Sequence, residues 1–445
     1  MKLALLGGGG FRVPLVYGAL VHDPDSPIDE LCLYDSSADR LAAIGHVLEK
    51  LAPRTGRLRV RSTTSLDDAI AGSDFVFSAI RVGGLHGRIA DERAALSLGV
   101  LGQETTGPGG IAYGLRTIPV ALEIAQTVRR LAPGAWVINF TNPAGMITEA
   151  MQQVLGRQVV GICDTPSGLG TRVAALLGVP ADRVSLDYVG LNHLGWLRGA
   201  TFQGRDLVAE LLADSATLSG LEEAQVFGVE WLQSLGMIPN EYLYYFYNNR
   251  EAVQQISRAA QTRGEFLSDQ QTRFYDDVRA RPTDALDLWR HAHDEREATY
   301  MREARSSEDE RPDLTGGGYE RVALDLMSAI AANESRTLIL NVRNGTVLPG
   351  LPADAVIEVP TLVDATGAHP LATAPPPLAE LGLMQQMKAV EQLTIRAVVE
   401  DEPSLALRAI ASHPLVDSVD VARRLLDAYR ENTPELFRAG ATAAR

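Results

Sequence analysis

Two short polar segments of this sequence contain residues that could bind a metal or transfer protons. Cys163 and Asp164 directly follow the apolar run at 158–162, and His193 lies in a short turn further along the chain. A thiolate and an imidazole both bind divalent transition metals, and two protein ligands would leave coordination positions for substrate oxygens. Buried cysteines and lone histidines are also common as structural residues, so residue types alone leave both roles open.

A run of four glycines, Gly7 to Gly10, follows the apolar segment 2–6 and precedes a predicted helix at 11–22. This order is typical of dinucleotide binding, where glycines admit a pyrophosphate and the helix N-terminus donates amides to it. The string is not a strict G-x-G-x-x-G, and a tight turn would explain the glycines alone. Asp35, after the second apolar run at 30–34, is placed to bind ribose hydroxyls and favours NAD over NADP, although a helix N-cap would use the same residue. The predicted cofactor-binding residues are Gly7, Gly9, Gly10, Phe11, Arg12, Asp35 and Arg40.

The elements that must position these residues alternate between strand and helix. Strands are predicted at 2–6, 30–34, 74–80, 135–140 and 158–162, and helices at 11–22, 36–51 and 114–131. Strands alternating with helices favour a parallel sheet with right-handed crossovers. We therefore expect an α/β fold in which residues 1–195 form an NAD-binding domain with a doubly wound, Rossmann-type sheet.

The pattern changes after about residue 195. The segments 205–235, 248–305 and 379–430 are predicted to be helical, and 374–378 is a predicted turn or linker. Strands at 337–343 and 354–363 are predicted to form a separate, smaller sheet, and the charged stretch 302–314 is predicted to be mobile. Residues 196–445 are therefore expected to form a second, α+β domain for substrate binding and oligomerisation.

Composition narrows the function classes. The 445 residues carry a net charge of −15, with 46% hydrophobic and 22% charged residues. Because no basic patch is visible, nucleic-acid binding is not expected. No segment approaches the ~20 apolar residues of a membrane span, and the N-terminal apolar stretch is shorter than a signal peptide requires. Two cysteines, Cys32 and Cys163, do not indicate a disulfide framework, so a cytoplasmic protein without membrane partners is predicted.

Several longer strings, in consistent order from residue 1 to about 430, resemble glycoside hydrolase family 4, and especially its 6-phospho-β-glucosidase branch. They are IRVGGL at 80–85 with Arg88, GQETTGPGG at 102–110, TNP at 141–143, GICDTP at 161–166, NHLGW at 192–196 and IPNEYL at 238–243. Most glycosidases use a pair of carboxylates to cleave the glycosidic bond, and this family is an NAD-dependent exception.

The resemblance implies a mechanism and a set of roles. NAD oxidises the sugar at C3, the C2 proton is removed, the C1 oxygen is eliminated, water adds, and the hydride returns to C3. A divalent metal, typically manganese, bridges the C2 and C3 oxygens. Cys163 and His193 match the metal ligands, Asp164 the proton donor and Tyr242 the base, whose pKa a metal or an arginine would have to lower. Substrate-binding side chains are implied at Arg88, Asn142 and Arg263. A homodimer or homotetramer acting on a small-molecule glycoside is also implied.

Two departures from the branch concern the group at C6 of the sugar. Tyr244 stands where the branch usually carries arginine, and Thr315-Gly316-Gly317 replaces an Arg-Gly-Gly string. Arginine binds phosphate through paired hydrogen bonds, so the two missing arginines weaken the case for a phosphate at C6. A 6-phospho-β-glucoside is still the leading substrate, and a sulfoquinovoside is the alternative within the same mechanism. From other classes, an NAD-dependent 2-hydroxy-acid dehydrogenase and a non-catalytic NAD-binding sensor also stay open.

Overall fold

The computed structural model describes residues 1–52, 58–300, 318–434 and 436–437, so the charged stretch at 302–314 lies outside the described residues. The strands are β1 Lys2–Leu6, β2 Glu30–Tyr34, β3 Arg59–Thr63, β4 Phe75–Ser78, β5 Trp136–Asn139, β6 Val159–Gly161, β7 Ser185–Leu191, β8 Leu194–Phe202, β9 Arg205–Asp206, β10 Ile238–Pro239, β11 Arg336–Arg343, β12 Val356–Asp364 and β13 Gly367–Pro370.

The α-helices begin with seven that belong to the first half of the chain: α1 Val13–His22, α2 Ala38–Leu51, α3 Leu66–Ile70, α4 Gly84–Ser97, α5 Pro108–Leu131, α6 Ala144–Leu155 and α7 Thr165–Leu176. Those of the second half are α8 Leu207–Ala213, α9 Ser215–Leu218, α10 Glu222–Phe227, α11 Val229–Leu235, α12 Tyr244–Tyr247, α13 Asn249–Arg258, α14 Arg263–Ala280, α15 Ala285–Ala298, α16 Tyr319–Ala332, α17 Leu378–Val399, α18 Pro403–Ser412 and α19 Val419–Asn432. Within the described ranges, no helix has the length and apolar character needed to cross a bilayer.

The first six strands form a parallel sheet in the order β6-β5-β4-β1-β2-β3. Strand β1 shows why both faces of this sheet are covered. Leu3 and Leu5 belong to a core shared with α1 and α2, whereas Ala4 and Leu6 belong to one shared with α5 and α6. Alternate side chains of a strand point to opposite faces, so an unbroken apolar run produces a strand buried on both sides. The predicted Rossmann-type α/β fold is confirmed.

The prediction of a separate sheet in the second half is wrong. Strand β11 pairs antiparallel with β6, β12 pairs with β11, and β7 pairs with β12, so one sheet continues across both halves of the chain. Its order is β10-β8-β7-β12-β11-β6-β5-β4-β1-β2-β3, with β9 and β13 attached at β8 and β12. The division into domains 1–195 and 196–445 stays a prediction.

Three further differences between the predicted and the observed elements concern an edge strand, a hairpin and a helical segment that is divided into shorter helices. Strand β3 was not predicted, because its side chains are mostly exposed and lack an apolar pattern. The hairpin β7–β8 was also not predicted, although its turn carries His193. The predicted helical segment 205–235 is four short helices, α8 to α11, preceded by β9.

Candidate active site

The glycine turn lies between β1 and α1, at the carboxyl edge of the parallel sheet. Gly7 has φ +89, and a Cβ there would lie 2.5 Å from the carbonyl oxygen of Ala79, so this position requires glycine. The Gly9 N–H donates to Asp35 Oδ2 at 3.1 Å, while Gly10 N–H donates to the carbonyl of Gly7 at 2.8 Å. These amides are therefore used inside the turn.

The next two amides face the cleft instead. Among the described residues, the backbone N–H groups of Phe11 and Arg12 have no hydrogen-bond acceptor, and both residues line the cleft at the start of α1. A helix N-terminus with unused N–H donors is suited to an anion such as a pyrophosphate. Arg40 lies beside the turn, its guanidinium 4.7 Å from the ring centroid of Tyr275.

Helices of the second half hold this turn in place. The hydroxyl of Tyr275 donates to the carbonyl of Gly9 at 2.7 Å, and the Trp289 indole N–H donates to the carbonyl of Phe11 at 2.8 Å. Tyr319 Oη donates to the carbonyl of Arg12 at 3.0 Å. The turn therefore depends on side chains far away in the sequence, which no local sequence pattern indicates.

Cys163 and Asp164 lie between the end of β6 and the start of α7. Both line the cleft, and the Cys163 thiol donates to Thr165 Oγ1 at 3.6 Å. Burial raises the pKa of the Cys163 thiol well above its ordinary value. A metal that binds this sulfur must therefore displace a proton from it.

His193 occupies the tight turn between β7 and β8 in a left-handed backbone conformation, with φ +62. This conformation costs a non-glycine residue about 1–3 kcal/mol and is frequent at functional sites. Thr105 Oγ1 donates to Gln103 Oε1 at 3.2 Å and lies 3.1 Å from His193 Nδ1. Because the threonine has one proton to donate, it accepts from Nδ1–H, which leaves Nε2 with a free lone pair. Burial lowers the pKa of His193 to about 4, so the ring is neutral at pH 7, as a metal ligand must be.

Tyr242 stacks on His193, with ring centroids 3.7 Å apart and planes within 8°. Its hydroxyl lies 2.8 Å from the hydroxyl of Tyr300, which donates to Glu241 Oε1 at 2.9 Å. Burial, followed by the charge of Glu241, raises the pKa of Tyr242. The family resemblance offered a metal or an arginine to lower this pKa, and among the described residues no arginine is one of its main influences.

The three predicted substrate-binding residues all line the same cleft. Arg88 is 7% exposed and is held by Glu92 at 2.6 Å and Glu104 at 2.9 Å. Asn142 Oδ1 is buried without a hydrogen-bond partner among the described residues, as expected of an atom that awaits a ligand. Arg263 donates to Thr299 Oγ1 at 2.7 Å.

A single cleft of about 2240 Å³ joins these groups. Of the predicted site residues, Gly9 is not part of its lining, because it packs against Arg40 and Asp35. The volume exceeds the ~300–1,000 Å³ typical of a site for one small ligand, so a dinucleotide and a sugar can be accommodated together. The described residues contain no group of three or more His, Cys, Asp and Glu placed to hold a metal. The assignment of Cys163 and His193 as metal ligands stays a prediction.

One further polar group beneath the site was not predicted. Glu358 on β12 is fully buried and accepts from Asn341 Nδ2 at 2.7 Å and from Asn192 Nδ2 at 3.5 Å. Burial raises its pKa to about 7. A buried Glu inside a strand-like apolar run, VIEVP at 356–360, was the available sequence signal, since charged residues are rarely fully buried unless paired.

The fold and the cleft together define a class, an α/β protein with a dinucleotide-type glycine turn beside a cysteine, a histidine and a tyrosine. Comparison with known proteins gives the family. Residues 2–179 match the profile described as "Family 4 glycosyl hydrolase", and residues 188–416 match its C-terminal domain. The chain belongs to the family 4 glycosyl hydrolases.

Individual relatives cover the whole chain. A probable 6-phospho-beta-glucosidase of Bacillus subtilis (strain 168) is 32% identical over 456 residues, covering 98% of both chains. A 6-phospho-beta glucosidase of Thermotoga maritima, solved with manganese, NAD+ and glucose-6-phosphate, superposes with a TM-score of 0.82 at 28% identity and covers 98% and 99% of the two chains. A 6-phospho-alpha-glucosidase from gut microorganisms, solved with NAD and Mn2+, gives a TM-score of 0.82 at 25% identity and covers 98% of each chain.

Proposed function

We propose that this chain is an NAD- and manganese-dependent glycosidase that hydrolyses a 6-phospho-β-glucoside. The observation that carries the proposal is the meeting of the glycine turn with Cys163, His193 and Tyr242 in one cleft. Relatives that carry 6-phospho-β-glucosidase names, and a related structure containing NAD+, manganese and glucose-6-phosphate, support the same substrate and cofactors.

The residues present fit both cofactors. The amides of Phe11 and Arg12 would hold the pyrophosphate, and Asp35 would face the adenosine ribose. Cys163 Sγ and His193 Nε2 would hold the metal. When bound, NAD takes up and returns a hydride at C3, and the metal acts as a Lewis acid on the sugar oxygens.

The protein's own groups perform the proton transfers. Tyr242 removes the proton from C2, and the bond from C1 to the leaving oxygen then breaks as a double bond forms between C1 and C2. Asp164 donates a proton to the leaving oxygen. Water then adds at C1, and the proton taken from C2 is replaced, so that the sum of the steps is hydrolysis. Because burial and Glu241 raise the pKa of Tyr242, a metal held by Cys163 and His193 would supply the positive charge that lowers it again.

The group at C6 is the least constrained part of the substrate. Tyr244, which replaces an expected arginine, is 5% exposed and packs in a small apolar cluster with Leu101 and Tyr245. Tyr245 lines the cleft, whereas Tyr244 is not among the described residues that do. It therefore does not replace the missing cation, and a sulfoquinovoside remains the second candidate, since a sulfonate monoanion needs fewer cations than a phosphate dianion.

We also propose that the protein is a cytoplasmic homodimer or homotetramer. Both Cys32 and Cys163 are buried free thiols, which is typical of a reducing compartment. Several large apolar side chains are exposed, among them Leu378 and Val399 on α17, as a subunit interface would require. Sedimentation equilibrium tests the oligomeric state, and a monomer at micromolar concentration would contradict the proposed homodimer or homotetramer.

A panel of nitrophenyl glycosides tests the function. It comprises glucoside, 6-phosphoglucoside and sulfoquinovoside in both anomers, with NAD and manganese added. We expect nitrophenol release from the 6-phospho-β-glucoside without net formation of NADH. A dehydrogenase would instead accumulate NADH in proportion to substrate, and a non-catalytic sensor would release no nitrophenol; either result would refute the proposal.

A further inference from the structure

Among the described residues, Arg296 is an arginine of the cleft that forms no ion pair with a carboxylate, unlike Arg81 and Arg88. Arg81 and Arg88 share Glu104, and Arg88 also binds Glu92. Arg296, near the end of α15, lines the same cleft, and among the described residues its guanidinium forms no hydrogen bond and no ion pair. The positive charge of Arg296 is therefore available to a ligand.

Other cations lie close to Arg296. Burial, and then the charges of Arg12 and Arg263, lower its pKa to about 9. Its ring contact is with Phe11, whose centroid is 6.0 Å from the guanidinium carbon. Like charges brought together in a partly buried cleft are unfavourable unless an anion offsets them. The arrangement is thus that of an anion-binding site.

The position of Arg296 relates this site to the sugar. Arg263 Nη2 donates to the carbonyl oxygen of Arg296 at 3.0 Å, so the two arginines are fixed to each other. Four residues after Arg296 comes Tyr300, whose hydroxyl lies 2.8 Å from that of Tyr242. Tyr300 lies just beyond the end of α15 at Ala298, and four peptide steps of about 3.8 Å keep the Cα atoms of Arg296 and Tyr300 within about 15 Å of each other. Arg296 and Tyr242 line the same cleft, so a sugar with C2 at Tyr242 can extend towards Arg296.

We propose that Arg296, together with Arg263, binds the anionic group that the substrate carries at C6. This inference rests on the proposed function and supplies the cation that Tyr244 does not. The competing anion in the cleft is the dinucleotide pyrophosphate. The free amides at the start of α1 already suit that group. Arg296 instead accepts a hydrogen bond from Arg263 through its carbonyl, and the chain that follows Arg296 leads to Tyr300, whose hydroxyl contacts the proposed base Tyr242.

Titration calorimetry on the NAD-loaded protein tests the proposal, with glucose 6-phosphate as the probe. Arg296→Gln should weaken glucose 6-phosphate about 10–100-fold, the loss expected for a charge-assisted hydrogen bond. The NAD Kd should change less than about twofold, and Arg296→Lys, which keeps the charge, should recover much of the loss. The control is Arg290→Gln on the same helix, since Arg290 is a surface residue paired with Asp287 and should have no effect.

Three results would overturn the proposal. The first is an unchanged glucose 6-phosphate affinity in Arg296→Gln, and the second is no binding of glucose 6-phosphate by the wild type. The third is an equal loss of NAD affinity, which would assign Arg296 to the dinucleotide phosphates. Because the assay measures binding, its outcome is independent of turnover. Arg296-dependent binding without hydrolysis of any 6-phosphoglucoside would refute the proposed function and leave the anion site standing. A thermal unfolding curve for each variant confirms that the compared proteins are folded.

Discussion

Replacing Tyr242 by phenylalanine separates its proposed catalytic role from its structural one. The substitution removes the hydroxyl that lies 2.8 Å from Tyr300 and keeps the ring that stacks on His193 at 3.7 Å. Loss of one neutral hydrogen bond costs about 1 kcal/mol of folding free energy. Loss of a general base lowers the rate by roughly 10²–10⁴, or about 3–5 kcal/mol of activation free energy. The effect on kcat should therefore far exceed the effect on stability.

The assay measures kcat with a nitrophenyl 6-phospho-β-glucoside at saturating NAD and manganese, alongside urea unfolding and the NAD Kd. Tyr247→Phe is the matched control, because its hydroxyl accepts a hydrogen bond from the Trp196 indole at 3.0 Å and Tyr247 is not among the described residues that line the cleft. It should lose similar stability and keep its activity. A Tyr242→Phe enzyme with more than a tenth of the wild-type kcat would refute the reasoning, as would activity loss explained by unfolding or by lost NAD.

Three further predictions concern the metal, the glycine turn and acid stability. Cys163→Ser should weaken Mn²⁺ binding by more than the roughly 10–100-fold that is lost when a residue outside the ligand shell is changed. Electron paramagnetic resonance titration measures this affinity, and an unchanged affinity would show that Cys163 is not a ligand. Gly9→Ala places a Cβ 2.6 Å from Arg40 Cβ, an overpacking worth about 1–3 kcal/mol, and should raise the NAD Kd about tenfold in a fluorescence titration; a normal Kd would show that the turn tolerates the methyl group. His413 is 2% exposed, and burial lowers its pKa to about 4 in the folded protein, compared with about 6.5 in the unfolded chain. Between these two pH values the unfolded chain binds a proton that the folded protein does not. Stability therefore falls as the pH drops from about 6.5 towards 4, and at pH 5 the loss from this group is about 2 kcal/mol; urea unfolding at pH 7 and pH 5 should show a smaller loss in His413→Gln, and an equal loss in both proteins would contradict this assignment.

Local patterns were sufficient to predict the buried strands of the parallel half of the fold, but not its exposed edge strand β3. The apolar runs that became β1, β2 and β6 are buried on both faces, so burial and strand formation coincide with hydrophobicity along the chain. The position of Cys163 after β6 followed from the same pattern, because ligands of open α/β sheets bind at the carboxyl ends of the strands.

The continuation of the sheet could not be predicted in this way. Strands β11 and β12 were correctly expected near 337–343 and 354–363, but β6, with which β11 pairs, and β7, with which β12 pairs, are far away in sequence. A strand's own residues do not specify which distant strand it will pair with, so a separate sheet was the simpler interpretation. Pairing depends on the complete packing of both halves.

The site itself shows the same division. The family resemblance brought Cys163, His193 and Tyr242 to attention, and the structure places them in one cleft, while their roles stay proposals. The threonine that sets the His193 tautomer, Thr105, and the hydroxyl of Tyr300 contact these residues across long sequence separations. Neither contact has a local sequence signal, so only the folded structure reveals them.

The central claim is that the glycosidic bond breaks after removal of the C2 proton, not by direct displacement at C1. The most direct measurement compares substrate carrying deuterium at C2 with unlabelled substrate, and also follows C2 of the released sugar when the reaction runs in D₂O. We predict a primary isotope effect on kcat/KM or uptake of solvent deuterium at C2, in either case only when NAD and manganese are present. Hydrolysis at the full rate with neither an isotope effect nor exchange at C2 would contradict the account.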